Sequence, residues 1–189
     1  MVVFLETERL VLRRFTEADV DNLVELDSDP EVMRYITGEP TSRHAIENDF
    51  LPSFLAYYHR YDGYGFWAAI EKSSGDFLGW FHFRPEEDAA SDEPELGYRL
   101  RRSAWGKGYA TEASRTLINK GFTELDAKRV NAWAAADNIA SRRVMEKSGM
   151  VLVQTICQVW PGLFNGEKTA GVEYALNKSD WLQQQALPS

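Results

Sequence analysis

Cysteine is almost missing from this chain. Cys157 stands alone in 189 residues, so no internal disulfide can form, which suits a reducing cytosol. It lies in an apolar, strand-like run, and the expectation is that it packs. Histidine is scarce as well: His44, His59 and His82 share no metal-ligand spacing, and no Gly-x-Ser-x-Gly turn occurs, so neither a metal site nor a serine-hydrolase mechanism is expected. Positive charge is in deficit. A net charge of −8 argues against nonspecific nucleic-acid binding and mildly favours cationic substrates. No apolar run approaches the roughly 20 residues of a membrane helix. Met1-Val-Val-Phe-Leu5 is too short and uncharged for a signal peptide, which points to a cytoplasmic protein. Repeats, low-complexity tracts and linkers are also missing, so residues 1–189 read as one domain.

What the chain does have is 44% hydrophobic and 13% aromatic residues, enough for a sizeable core. Its organising stretch is Trp105-Gly-Lys-Gly-Tyr-Ala-Thr-Glu112. Before it, Glu95-Leu-Gly-Tyr-Arg-Leu-Arg101 has strand character; after it, Ala110, Ala113, Leu117 and Ile118 recur at helical spacing. Gly106 and Gly108 allow positive φ and a close backbone approach to a ligand. A helix starting there leaves its first amides unpaired at the positive end of its dipole, so with Lys107 and Thr111 the turn suits an anion. Two nucleotide-binding patterns fit badly. Lys107 lies between the glycines, unlike the lysine of the NTPase phosphate loop, and Thr111 stands where the dinucleotide fingerprint needs a third small residue.

The stretch from Glu95 to Met150 resembles the GNAT superfamily of N-acetyltransferases. The family's pyrophosphate motif, Gln or Arg, two residues, Gly, one residue, Gly or Ala, reads here as Trp105-Gly106-Lys107-Gly108-Tyr109-Ala110, with Trp105 departing from its first position. A second block follows at the family's spacing: Asn138, Ser141, Lys147 and Gly149 match its Asn-x-x-Ser…Lys-x-Gly pattern. The opening Thr7-Glu-Arg-Leu-Val-Leu-Arg-Arg-Phe15, followed by Asp29-Pro-Glu-Val-Met-Arg-Tyr35, resembles the RimJ/RimL group. These enzymes acetylate ribosomal-protein N-termini. The resemblance implies a single mixed, mostly antiparallel central sheet with helices on both faces, with acetyl-CoA as co-substrate and no metal.

It also implies site residues. Tyr98, Arg99 and Leu100 would run beside the pantetheine arm. The turn residues Trp105 to Thr111, with Tyr109 and Ala110 opening the helix, would cradle the diphosphate, and Arg101, Arg102, Lys107 and Arg142 are candidate phosphate partners. Asn138 would bond the pantetheine. The amine acceptor, either a protein N-terminus or a small molecule, must lose a proton before attack, since an alkylamine has a pKa of about 10.4. Glu95 occupies the family's general-base position, and partial desolvation there would raise its pKa. Glu93 is the substitute. The tyrosine that many relatives use to protonate the thiolate is replaced by Met145, and Ser141 occupies the position RimL-type enzymes use instead. A structural reading stays open beside this one: Asn138 as N-cap, Ser141 as its N3 residue. Trp105 and Met145 also leave open a non-catalytic acyl-CoA-binding module, and a homodimer is possible.

Elsewhere, Leu10–Phe15 reads as the first strand, with Thr16 and Asp19 capping a helix that Asp29-Pro30 stops. A helix from Ser42 carries Ile46, Phe50 and Phe54 as its apolar stripe, and Pro52 should kink or split it. Tyr57, Tyr58 and Tyr61 line an acceptor pocket or pack in the core. Phe66–Ile70 and Phe77–Phe83 form a hairpin. Glu86-Glu-Asp88 and Asp92-Glu93 read as an acidic connection, a solvated loop or a funnel for protonated amines. Met150–Val159 and Thr169–Leu176 are the last strands, joined by a turn at Pro161–Gly166, and Ser179 onward is a tail.

Overall fold

The structure is a computed structural model, and it describes residues 2–85, 92–159 and 168–186. The expected acidic loop at 86–88 and the turn at 161–166 lie outside the described residues. In chain order the elements are β1 (Val3–Glu6), β2 (Leu10–Arg14), a 3-10 turn (Glu17–Asp19), α1 (Val20–Ser28) and α2 (Pro30–Met33). Next come α3 (Arg43–Ala45), a π-helical turn (Ile46–Phe50), α4 (Leu51–Tyr57), β3 (Gly65–Glu71), β4 (Phe77–Arg84) and β5 (Glu95–Leu100). After a 3-10 turn (Arg102–Ala104), α5 (Tyr109–Glu124), β6 (Arg129–Ala135), α6 (Ile139–Lys147), β7 (Val151–Val159), β8 (Lys168–Asn177) and α7 (Lys178–Ala186) complete the chain.

The strands form one sheet in the order β1-β2-β3-β4-β5-β6-β8-β7. Every pairing is antiparallel except β5–β6, which is parallel and registers at a single pair, Glu95 with Asn131. The expected mixed, mostly antiparallel sheet is therefore present. One core cluster includes Phe81, Phe83, Leu96 and Leu100 of the sheet with Leu117, Ile118 and Phe122 of α5. The other gathers Phe77 and Trp80 with Leu23, Ile46 and Phe54 on the opposite side. Strand alternation explains the split: successive side chains of β4 and β5 point to opposite faces, so each strand serves both layers.

Four expectations need correction. Val3–Glu6 is a strand of its own ahead of Leu10, and residues 178–186 form α7 rather than a tail, with Trp181 packed on Phe122 at 5.4 Å. Phe50 is 47% exposed instead of lying on the buried stripe. Pro52 has no N–H and its ring crowds the carbonyl four residues back; just ahead of it the Leu51 amide bonds Ile46 O, a five-residue step that turns the stripe out of phase. Cys157 is exposed, because β7 forms an edge of the sheet.

Asp19 anchors the first crossing. Its carboxylate accepts bonds from both Arg13 Nη atoms (2.8 and 2.7 Å), from the Thr16 amide (2.9 Å) and from Asn22 Nδ2 (3.1 Å). Desolvation pulls its pKa up, but those donors outweigh burial and hold it below the ordinary 3.8. A carboxyl depressed in the folded state contributes stability that is complete above its unfolded pKa, about 3.9, and is lost as the pH falls through the lower native value. Asp19→Ala is therefore expected to cost about 3–5 kcal/mol near pH 7, because it strands Arg13, and the gap to wild type should close in acid. Urea unfolding at pH 7 and pH 3 checks this; a loss under 1 kcal/mol at pH 7 would contradict it.

Candidate functional site

The turn before α5 has the geometry the glycines anticipate. Gly106 and Gly108 adopt φ of +71° and +85°, and Gly108 is the N-cap residue. Ala104 and Trp105 donate to Arg101 O and Arg102 O (2.9 and 3.0 Å), and Glu112 donates to Gly108 O (3.0 Å). Between them, the amides of residues 106–111 find no acceptor among the described residues. A Cβ built on Gly106 would meet nothing within 4 Å, so the concavity is open. Unpaired amides converging at a helix N-terminus form an anion site by construction.

Arg9, to which the sequence reading assigned no role, fixes this turn. Its Nη1 donates to Lys107 O (3.0 Å) and its Nε to Glu112 Oε2 (2.7 Å), and its guanidinium lies over the Tyr109 ring at 4.4 Å. Thr7 adds a bond to Glu112, and Tyr109 bonds Glu71. The Thr7-x-Arg9 pair belongs to the opening motif, which is the signal that could have found it. Trp105 is 47% exposed, and its indole N–H donates to Leu100 O (2.8 Å), tying the turn to the end of β5. Lys107 is exposed, and Ala110 and Thr111 are half-buried in the first turn of α5.

On the face shared with α6, Tyr98 and Ser141 meet. The Tyr98 hydroxyl lies 2.9 Å from Ser141 Oγ and donates to Ser141 O at 3.1 Å; burial pushes its pKa far above the ordinary 10. Asn138 Oδ1 accepts the Ser141 amide (3.1 Å), so the capping reading holds. Met145 is buried in the core. Arg142 engages Ala136 O and the Tyr174 hydroxyl. Arg99 and Arg101 project to the other layer, where they pair with Asp27 and Glu25 at 2.6 and 2.8 Å. Arg102 approaches Asp29 at 3.8 Å.

That other layer holds a cavity of about 320 Å³ lined by Leu23, Asp27, Ile46, Phe50, Ser53, Phe54, Phe66, Trp80, His82, Arg84 and Arg99. Tyr57, Tyr58 and Tyr61 are not among its walls; Tyr57 donates to Pro85 O, and Tyr58 accepts from the Phe15 amide and bonds Phe66 O. Glu95 sits just behind the cavity, its side chain 16% exposed, with Oε1 3.5 Å from His82 Nε2 and Oε2 3.9 Å from Arg84 Nη2. The expected upward pKa shift is corrected here. Desolvation does push the Glu95 carboxyl up, but His82 and Arg84 together outweigh it, and the net shift is downward from the ordinary 4.5. Glu93 instead turns to Arg129 at 3.4 Å.

Gly97 makes this contact possible. It pairs with His82 across β4–β5, and a Cβ there would lie 2.4 Å from His82 Nε2. Among the described residues no group of His, Cys, Asp and Glu could hold a metal ion, and no helix is long and apolar enough to cross a membrane.

A protein-family model described as an acetyltransferase (GNAT) domain matches residues 9–151, a span that contains both the amide turn and the Glu95–His82 pair. The chain belongs to the GNAT acetyltransferase family. It is an acetyl-CoA-dependent N-acetyltransferase. It is 30% identical over 194 residues to the FsC-acetyl coenzyme A-N(2)-transacetylase of Aspergillus fumigatus, covering 96% of this chain and 79% of that protein. It is 35% identical over 156 residues to protein YkkB of Bacillus subtilis, covering 80% of this chain and 87% of that protein. A GNAT-family acetyltransferase from Bacillus anthracis superposes with a TM-score of 0.79 at 25% identity, covering 95% and 99% of the two chains. RimL, the ribosomal L7/L12 α-N-protein acetyltransferase solved with coenzyme A, shares the fold at a TM-score of 0.76, covering 93% of this chain and 97% of that one at 20% identity.

Proposed function

We propose that this GNAT enzyme transfers acetyl to a primary amine by direct attack in a ternary complex, the cofactor and the acceptor approaching β5 from opposite faces. The acceptor is a small-molecule amine or a protein N-terminus. One observation carries the reading: six consecutive amides with no acceptor among the described residues stand at the N-terminus of α5, just beyond the end of the strand whose first residue is Glu95. The residues present fit coenzyme A. The amides of 106–111 and Lys107 would hold its diphosphate, and the edge of β5 beyond the single Glu95–Asn131 pair is free of β6 for the pantetheine amides. Acetyl-CoA supplies an activated acyl carbonyl and a thiolate leaving group.

The chain's own groups manage the protons. An ammonium in the cavity must be deprotonated before it can attack, and Glu95, ionised at neutral pH, is the carboxylate toward which that proton is drawn. Ser141, in contact with Tyr98, donates to the departing sulfur. The aromatic wall of Phe54, Phe66 and Trp80 suits an acceptor with an apolar body. Cytoplasmic location and a single domain over 1–189 complete the reading.

Ser141→Ala is expected to slow turnover about tenfold, less than the 10²–10³ typical for loss of an oxyanion donor, because the Tyr98 hydroxyl remains. Coenzyme A affinity should stay within about twofold; turnover equal to wild type would return Ser141 to capping alone. Thiol release from acetyl-CoA across a panel of primary amines tests the function itself. Amine-dependent release supports it, and release that no amine accelerates contradicts it.

A further inference from the structure

The cavity is walled by His82, whereas Glu95 is not among its lining residues. An amine in the cavity therefore meets the His82 imidazole before the Glu95 carboxylate, and the carboxylate in the lining itself, Asp27, is taken up by Arg99. Among the described residues Nε2 of His82 is buried without a hydrogen-bond partner, and Glu95 Oε1, at 3.5 Å, is the acceptor that faces it. Since Nε2 is the nitrogen turned to Glu95, Nδ1 is the one left to face an acceptor. The ring is held by aromatic neighbours, edge-on to Phe66 at 5.7 Å and tilted against Trp80 at 5.9 Å, and Gly97 leaves it room to lie over β5.

We infer that His82 is the residue that takes the proton from the acceptor amine, with Glu95 behind it as the partner that orients the imidazole and receives its charge. The inference deepens the proposed function and rests on its assignment of Glu95. The ammonium N–H bond breaks as a proton passes to Nδ1, the nitrogen keeps the electron pair with which it attacks, and the Nε2 proton is shared with, or released to, the Glu95 carboxylate. No oxidant or further reactant is needed. The other charged groups lining the same cavity are Arg84 from its own strand, Arg99 from β5, and Asp27 from α1, which is neutralised by Arg99 at 2.6 Å. A carboxylate hydrogen-bonded to one ring nitrogen fixes the tautomer at the other, the arrangement that makes imidazole an effective base.

The test compares H82N, E95Q and the double variant, with CoA affinity verifying that each is folded. H82N is expected to lower kcat about 10²-fold, with the KM for acetyl-CoA unchanged and the dependence of kcat on pH altered. E95Q should cost a similar factor, and the double variant should be no slower than the worse single, because the two groups act as one unit. A second readout needs no turnover: nitrogen NMR of the ligand-free protein should find the proton of neutral His82 on Nε2 and should show that preference weakened in E95Q. Wild-type turnover in H82N with a slow E95Q overturns the relay while leaving Glu95 as base. Multiplicative losses in the double variant, or a neutral imidazole protonated at Nδ1, overturn it as well. Wild-type turnover in E95Q overturns the base assignment and the relay together.

Discussion

Glu95→Gln is expected to lower kcat by about 10²–10³-fold at neutral pH, within the range that general-base catalysis contributes. The size follows from two opposed pKa values. An alkylamine at about 10.4 arrives protonated. The Glu95 carboxyl, held below its ordinary 4.5 by His82 and Arg84, is ionised across the physiological range. Gln keeps the shape but removes the charge that draws the proton away from the cavity. The same substitution leaves Arg84 with less compensation, so some stability is lost too. Its sign is fixed: a depressed carboxyl contributes above its unfolded pKa of about 4.3 and stops contributing as pH falls through the native value. Steady-state kinetics separates these effects. A fallen kcat with an unchanged KM for acetyl-CoA meets the expectation, and a wild-type kcat contradicts it.

Gly108→Val is expected to lower affinity for coenzyme A at least about 100-fold. Gly108 sits at φ +85° as the N-cap of α5, where a β-branched residue costs roughly 1–2 kcal/mol in backbone strain. A valine side chain there also stands at the edge of the amide cluster, 3.4 Å from Arg9 Nη2 at its Cβ. Gly106→Ala, at φ +71°, carries a similar left-handed backbone cost of about 1 kcal/mol but no clash within the protein, so the melting temperature reads the strain and any larger loss of affinity reads obstruction of the ligand. Its Cβ meets nothing within 4 Å in the ligand-free protein, so protein packing alone predicts no clash. If the diphosphate lies against those amides, calorimetry should show that variant binding the cofactor at least tenfold more weakly while melting within a few degrees of wild type. Equal affinities in Gly106→Ala and wild type would place the ligand elsewhere.

The turn at 105–112 was legible because its information is local: two glycines, a lysine and a helical stripe within a dozen residues. The order of the central elements was legible for the same reason, whereas the mostly antiparallel sheet followed from the family resemblance. What the sequence hid depends on register and distant contacts. His82 carries no signal as a lone histidine among aromatics; it becomes a site residue only because β4 and β5 pair it with Gly97, next to Glu95. Arg9 reaches Lys107 O across 98 positions of chain. The downward shift of Glu95 needed the same knowledge, since burial alone argues the other way. Cys157 was read from the apolarity of its run, but an edge strand can be apolar without being covered on both faces. Phe50 was displaced by one π-helical turn, which no hydrophobic periodicity announces.

The central claim is that the amides of residues 106–111 receive the diphosphate of coenzyme A. Backbone amide NMR on the isotope-labelled protein, titrated with coenzyme A, reads those groups directly. The account predicts large, saturable shifts for the amides of 106–111, and smaller ones along β5. Saturable shifts elsewhere, with these amides unmoved, would contradict it.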